Sequence, residues 1–433
     1  MVDVQRWYTS AQFQKSALHL LIVLALGQGV VAIWFRDGDF EWHRNYGQQF
    51  LERQEKRDHY PPARGFMDVP LALTPYVVAR AISYVLCIAA LVLCWQTWSK
   101  LGHREFTVTP SIAFAAGVFA VGIMLPFLLR DLDECGLQIF LLTLLTLGGW
   151  ALARGRSWQA GLFLATAASY KAVPIIVLPF LVWKRQWRAA GWMVAFLALW
   201  SAAPALYNGW DYNVQAHQRW IAESRRLKEA KQAYPSLLDR EPQLIYNVSL
   251  YALIARNLET YPAGLSPPHS LYVDHPLFFQ FGNLEPAAAY YVMHGILGVI
   301  ALAFLWRTRL RPSLSARKGP SRALRWRAGS ALPAEWAAVC AFCTLVSPLC
   351  WKQHLIVLLP CAFLVWRRVL SEATPLRWHW AVLGVVTFIS LAGRRSIVGD
   401  FSDVMLSYKF DTLAMLTLLV WTLTPHGNEQ AQG

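Results

Sequence analysis

RGRSWQAGLFLATAASYKAVPIIVLPFLVWKRQWR, residues Arg154–Arg188, is the stretch on which the fold turns. Both ends are basic, and the middle is apolar except for Lys171, followed closely by Pro174. A single spanning helix needs about 20 apolar residues, and roughly 24 to 28 lie between these charged ends. Lys and Arg gather on the cytoplasmic side of membrane helices. With both ends cytoplasmic, the chain must turn around near Lys171, as two short helices that meet deep in the membrane or at its far side. A charge at that depth is costly unless it is paired or lines a wet cavity. Lys171 is therefore a candidate anion-binding residue, with phosphate the obvious anion; the bland alternative is a lysine snorkelling from a helix end.

The same device recurs in Glu335–Trp366. Apolar sequence leads into SPLCWKQH (Ser347–His354), returns to apolar sequence, and ends at Arg367-Arg368. The break again falls at the far side and again carries a proline and a lysine, now with a histidine. Broken helices at membrane depth are tolerated where they line a cavity.

The remaining composition fits a polytopic membrane protein. Of 433 residues, 56% are hydrophobic and only 15% charged, against roughly 25% charged in soluble domains. The net charge of +14 would suit nucleic acid, but its distribution does not. Roughly 20 of the 40 Lys and Arg fall in short cytoplasmic loops with about 5 of the 26 acidic residues, so the basicity is a topology signal and no nucleic-acid partner is expected. The 21 Trp suit interfacial belts and a lipid- or sugar-facing cavity. Cys340 and Cys343 have CxxC spacing inside an apolar helix, with no second pair at metal spacing, and read as small buried apolar residues.

In chain order, Ser16–Phe35 reads as an uncleaved signal anchor. Residues 36–70 form an external loop, in which Trp42, Tyr46, Phe50 and Leu51 recur at helical spacing as a helix on the membrane surface. Asp37 and Asp39 sit just before it. Spans follow at Leu71–Trp98, Ser111–Leu129 and Gly136–Ala153, with Arg130–Glu134 a solvated external turn. After the first broken hairpin come Ala189–Leu206 and a long external region, 207–285, with a surface helix at Trp210–Leu227 and a surface or re-entrant helix at Gln243–Arg256. Pro286–Trp306 leads to a basic cytoplasmic loop at 307–330. Trp378–Ala392 and Val404–Leu423 follow the second hairpin. The expected architecture is all-α, a single integral membrane domain over residues 1–433 with about twelve membrane helices. Three groups should converge at the external side: Asp37 and Asp39; Lys171; and Trp351, Lys352 and His354. Cations would hold a lipid phosphate, and an acid would take a proton from an attacking hydroxyl. Taken singly, either Asp could instead be a solvated helix cap and His354 a satisfied interfacial histidine.

Four stretches carry a family resemblance: GDFEWHRNYGQQFL (Gly38–Leu51) with Tyr60-Pro61-Pro62; Gly136–Arg188 with Gln138, Gly161, Lys171 and Pro174; NVSLYALIAR (Asn247–Arg256); and SPLCWKQHLIVLLP (Ser347–Pro360). Together the chain resembles glycosyltransferase family 87, polyprenol-phosphate-mannose-dependent mannosyltransferases of the GT-C superfamily. Two departures are the Cys350 before the Trp and the missing Asn after Gln138. The resemblance implies a GT-C fold in a cell inner membrane with the active site facing the periplasm or exterior. It implies a polyprenyl-phosphate sugar donor, a glycolipid or glycan acceptor, and an inverting displacement; no metal-ligand spacing appears in the sequence, so no obligatory metal is expected, and no cofactor. Asp39 would be the base, with Asp37 second choice. Lys171 and His354 would hold the donor phosphate and Trp351 would stack on sugar or isoprenoid. Lys352, Asn247, Arg256, Gln138 and Tyr60 complete the expected substrate-binding set. The alternatives are a GT-C enzyme moving another sugar and a transporter of lipid-linked or anionic substrates, since broken helices around midplane charges also mark transporters.

Overall fold

In lipid the backbone must satisfy its own hydrogen bonds, and the apolar runs of this chain do so as helices. The computed structural model describes residues 7–36, 40–54, 60–102, 109–233, 247–258, 281–309, 332–347, 349–372 and 375–424. Its elements are α1 (Ala11–Trp34), α2 (Phe40–Leu51), α3 (Ala63–Leu73), α4 (Tyr76–Gly102), α5 (Pro110–Asp133) and α6 (Leu137–Ala153). Next come α7 (Ser157–Tyr170), a 3-10 turn (Val173–Ile176), α8 (Val177–Trp183), α9 (Trp187–Ala202), α10 (Trp210–Ala233), α11 (Leu250–Leu258) and α12 (Pro286–Arg307). The last are α13 (Leu332–Leu345), a 3-10 helix (Lys352–Leu358), α14 (Leu359–Ser371), α15 (Arg377–Ala392), α16 (Phe401–Ser407) and α17 (Phe410–Leu423).

Among the described residues, six helices are long and apolar enough to cross a membrane, and seven if α16 and α17, bent by 60°, form one broken span. The six include Lys352–Ser371, the 3-10 helix and α14 taken together, which is the second arm of the second hairpin. The expected total of about twelve also counted α6, α7, α8, α13 and α15, which run 7 to 17 residues. The apolar faces of α1 and α12 are largely uncovered: Leu20, Val23 and Leu26 of α1 and Val299 and Leu302 of α12 are exposed, as lipid-facing residues should be. Exposed Trp34, Trp187, Trp210 and Trp306 sit at or beside helix ends, where interfacial tryptophans belong.

Both broken hairpins form where the sequence places them. Helix α7 ends at Tyr170; Lys171 is extended, and Pro174 opens the 3-10 turn, which a proline's missing N–H permits. The second break runs from Val346 to the 3-10 helix at Lys352. The hairpins stand side by side in the same direction. At their open ends Lys184 of the first pairs with Glu335 of the second at 2.7 Å. At their tips Lys171 meets His354. Small residues let the helices approach. Gly161 faces α9 so closely that a Cβ would lie 2.5 Å from the Trp192 Cβ and 2.7 Å from the Met193 nitrogen.

Helix α2 departs from its expected role as a helix lying on lipid. Its buried stripe is Phe40, His43 and Gly47. Tyr46 and Phe50 meet Tyr60 and Phe66, with ring centroids 5.5 Å and 5.8 Å apart, so they are packed across to the α3 region. Only Trp42, exposed, keeps the expected outward position. The cause is α3, a second short helix that packs along α2. Its buried residues are Ala63, Arg64 and Asp68.

Candidate functional site at the hairpin tips

The hairpin breaks bring one side chain from each tip into contact. Lys171 Nζ lies 3.0 Å from His354 Nε2, 3.4 Å from His354 Nδ1 and 3.4 Å from Gln138 Oε1. Within the second tip, the Trp351 amide donates to His354 Nδ1 at 3.1 Å. That bond assigns the tautomer of a neutral ring, whose proton then sits on Nε2. The Nε2–H and the Lys171 ammonium are both donors, side by side. Gln138 supplies one acceptor, and among the described residues no carboxylate lies within ion-pair distance of Lys171. Asp131 is near enough to interact with Lys171 electrostatically but is not paired with it, and two adjacent donors, one a partly buried cation without a direct carboxylate partner among the described residues, suit a bound oxyanion.

The supports of this pair are mostly residues the sequence reading placed elsewhere. The turn Arg130–Glu134 is not a solvated loop: Asp131 and Glu134 are buried. Asp131 accepts from the amides of Gln138 at 3.2 Å and Ile139 at 2.9 Å, and so caps the otherwise unpaired start of α6 while fixing Gln138. Glu134 pairs with Arg130 at 2.8 Å and accepts from Gln353, the neighbour of His354. An acidic residue a few positions before a helix start was the available signal, obscured by three other charges in the same turn.

Asn247 is a clamp on the second tip. Its Oδ1 accepts from the Cys350 amide at 3.0 Å and the Ser249 amide at 3.1 Å, and the Val248 amide donates to the Cys350 carbonyl at 2.6 Å. The clamp holds the chain just before Trp351, whose extended backbone leads into the 3-10 helix that carries His354. Arg256 is fully buried, donates to Ser407 Oγ at 2.9 Å and lies 4.5 Å over the Tyr408 ring, tying α11 to the α16–α17 bend. Lys352 donates to the Gly393 carbonyl at 3.1 Å and sits 3.8 Å from Asp411. The structure thus brings together Lys171, His354, Trp351 and Gln138. It commits Asn247, Arg256 and Lys352 to holding elements in place.

A second cluster, unforeseen from the sequence, abuts the first. Tyr170, next to Lys171, donates to Asp68 Oδ1 at 3.2 Å. Asp68 pairs with Arg64 at 3.3 Å, and Arg64 hydrogen-bonds His43 Nδ1. The Arg64 guanidinium lies 3.7 Å over the Tyr60 ring. His43 is held well below the usual imidazole range, first by burial and then by the charges of Arg64 and Lys171. The signal was a stripe on α2: His43 and Gly47 are four apart, opposite Arg64 and Asp68, also four apart on α3. Asp37 and Asp39, the expected acids, lie outside the described residues. Phe40, the residue after Asp39, opens α2 and is buried against Tyr76.

The family model of glycosyltransferase family 87 matches residues 59–319. The match spans Tyr60, Gln138, Lys171, Asn247 and Arg256, and leaves out Asp39 and the Trp351–His354 tip. No curated protein and no solved structure matches the chain.

Proposed function

The chain belongs to glycosyltransferase family 87 and is a multi-pass membrane protein, and from that premise we propose that it moves a hexose, mannose by family likeness, from a polyprenyl-phosphate donor to a lipid-linked or glycan acceptor. The site would face the external side of an inner membrane. The observation that carries the reading is the paired donors Lys171 and His354 Nε2–H at the meeting of two broken hairpins. A donor phosphate there would be reached from the bilayer, where its polyprenyl chain lies.

In the proposed reaction the acceptor hydroxyl oxygen attacks the anomeric carbon as the bond from that carbon to the phosphate oxygen breaks. The electron pair leaves on the phosphate, and the hydroxyl proton passes to a carboxylate, Asp39 by position, with Asp37 second. The anomeric configuration inverts. The leaving polyprenyl phosphate gains a negative charge, which the Lys171 ammonium and the His354 N–H would stabilise; removal of one such fixed donor typically costs about 10²- to 10³-fold in rate. No general acid is required, because the phosphate leaves without protonation. Trp351 would lie against the sugar or isoprenoid.

The test is transfer in proteoliposomes from radiolabelled polyprenyl-phosphate mannose to a crude lipid acceptor extract. Wild type should transfer, and Asp39→Asn should bind donor without transferring. Lys171→Met should lose about 10²-fold or more in rate, by the same donor argument. Full transfer by Asp39→Asn would move the base to Asp37 or elsewhere. Absence of donor binding by wild type would reject the donor class. A chelator should leave the rate unchanged; loss restored by a divalent metal would overturn the metal-free scheme.

A further inference from the structure

Helix α2 carries His43, and α3 packs both along α2 and against α7, the first arm of the first hairpin. His43 is 6% exposed, and its Nδ1 meets a guanidinium nitrogen of Arg64. A guanidinium only donates, so Nδ1 is the acceptor and carries no hydrogen. Burial, and then the charges of Arg64 and Lys171, hold the ring neutral. A neutral ring with a bare Nδ1 has its hydrogen on Nε2. His43 is thus a second imidazole fixed as an Nε2–H donor, as His354 is by the Trp351 amide.

The His43 Nε2–H has no hydrogen-bond partner among the described residues. Nor is it closed off from solvent, as the unpaired Nε of the adjacent Arg44 is. A nearly buried donor without an acceptor is costly, and an opening beside it lets a ligand supply one. The surroundings say which kind. Arg64 lies 3.7 Å over the Tyr60 ring and 5.1 Å over the Tyr170 ring, and Asp68 at 3.3 Å balances its charge. Tyr170 donates to Asp68 and precedes Lys171, whose ammonium is near enough to act on the His43 ring and has no directly paired carboxylate among the described residues. An acyl chain would leave the N–H unpaired, and a cation would face two donors and an ammonium. A neutral hydroxyl would satisfy the N–H and leave the ammonium unbalanced. An oxyanion serves both.

We infer that the His43 Nε2–H donates a hydrogen bond to the phosphate of the polyprenyl donor, as a third donor with Lys171 and His354. Three donors match the three terminal oxygens the phosphate has once its bond to the anomeric carbon breaks and the electron pair stays on oxygen. His43 keeps its proton throughout. A fixed N–H that meets charge as it develops favours the transition state over the bound donor. The inference rests on the donor class proposed above.

Two amides divide the roles of the ring and test it. In His43→Asn the side-chain oxygen reaches the Nδ1 position and can accept from Arg64, with nothing at Nε2. In His43→Gln the amide reaches the Nε2 position and can donate there, while Arg64 loses its acceptor. Binding of radiolabelled farnesyl phosphate is measured on the full chain in lipid nanodiscs, with empty nanodiscs subtracted, alongside the thermal midpoint and transfer in proteoliposomes. His43→Asn should melt closer to wild type, yet bind farnesyl phosphate about tenfold more weakly and transfer about 10²-fold more slowly. His43→Gln should melt lower and keep its binding within about threefold of wild type. A ring that only supports Arg64 gives the opposite order in binding. That order, or equal binding by all three proteins, overturns the inference and leaves the donor reading standing. No binding by wild type overturns the donor reading and the inference with it. Should His43→Gln fail to fold, nitrogen-15 spectra of histidine-labelled wild type carry the test. The His43 Nε2–H signal, assigned by its absence from His43→Asn, should move when farnesyl phosphate is added, and a fixed signal overturns the inference.

Discussion

His43 is a neutral imidazole held between burial and two cations, and that has a sign in pH. Unfolded, it takes up a proton near pH 6.5. Folded, it resists protonation because burial, Arg64 and Lys171 all disfavour the charged ring. The unfolded state therefore binds more protons below pH 6.5, and stability should fall as pH drops through that value, by up to about 1.4 kcal/mol per pH unit. Unfolding measured at pH 7.5, 6.5 and 5.5 should show this slope in wild type and a flatter one in His43→Asn. Equal slopes would assign the acid sensitivity to other groups. Asp131 gives a second prediction. Asp131→Ala leaves the buried amides of Gln138 and Ile139 without an acceptor and should lower stability by about 2 to 4 kcal/mol, read from its denaturation midpoint. Asp131→Asn keeps one acceptor oxygen and should lose less. Lys171, Trp351 and His354 were legible in the sequence as tip residues, since each sits at a break that local composition reveals. His43, Arg64 and Asp68 were not, because a charged residue on an amphipathic helix reads as solvated until the helix covering it is known.

At the scale of the element, the two broken hairpins were legible to within a few residues. Each break is written locally, as a lysine and a proline inside an apolar run too long for one helix and with basic sequence at both ends. The contact between α2 and α3 was not legible. It depends on Gly47, where a Cβ would sit 2.3 Å from the Asp68 carbonyl oxygen and 2.9 Å from the Val69 nitrogen. Backbone atoms cannot swing aside as a side chain tip can. Gly47→Ala should therefore push the helices apart and cost about 1 to 3 kcal/mol, with transfer falling as Asp68 leaves Tyr170. Gly65→Ala is the control. Its Cβ would meet the Phe50 Cβ at 3.2 Å, which asks for a shift of a few tenths of an ångström where Gly47 would overlap backbone outright, and a smaller loss is expected. A thermal-shift measurement on the two variants checks the order.

For the whole molecule, the pairing of Lys184 with Glu335 at one end and of Lys171 with His354 at the other gives both hairpins one direction. Reporter fusions should follow it. Alkaline phosphatase joined within Trp210–Ala233 should be active outside the cell, and the same reporter joined after Arg185, at the basic end, should be inactive. The reverse pattern would invert the orientation and put the hairpin tips in the cytoplasm. The sequence by itself determined the membrane class, the helical state and the places where helices break, because hydropathy, charge bias and proline act over a turn or two of local chain. The tertiary structure alone decided which charged groups meet. Lys171 and His354 lie 183 positions apart, Asn247 and Cys350 103, and Tyr170 and Asp68 102. Whether such a residue binds a ligand, clamps a loop or pairs with a neighbour follows from which helices pack together, and that packing is set by small-residue contacts such as Gly161 on Met193 and Gly47 on Asp68, whose partners no local pattern names.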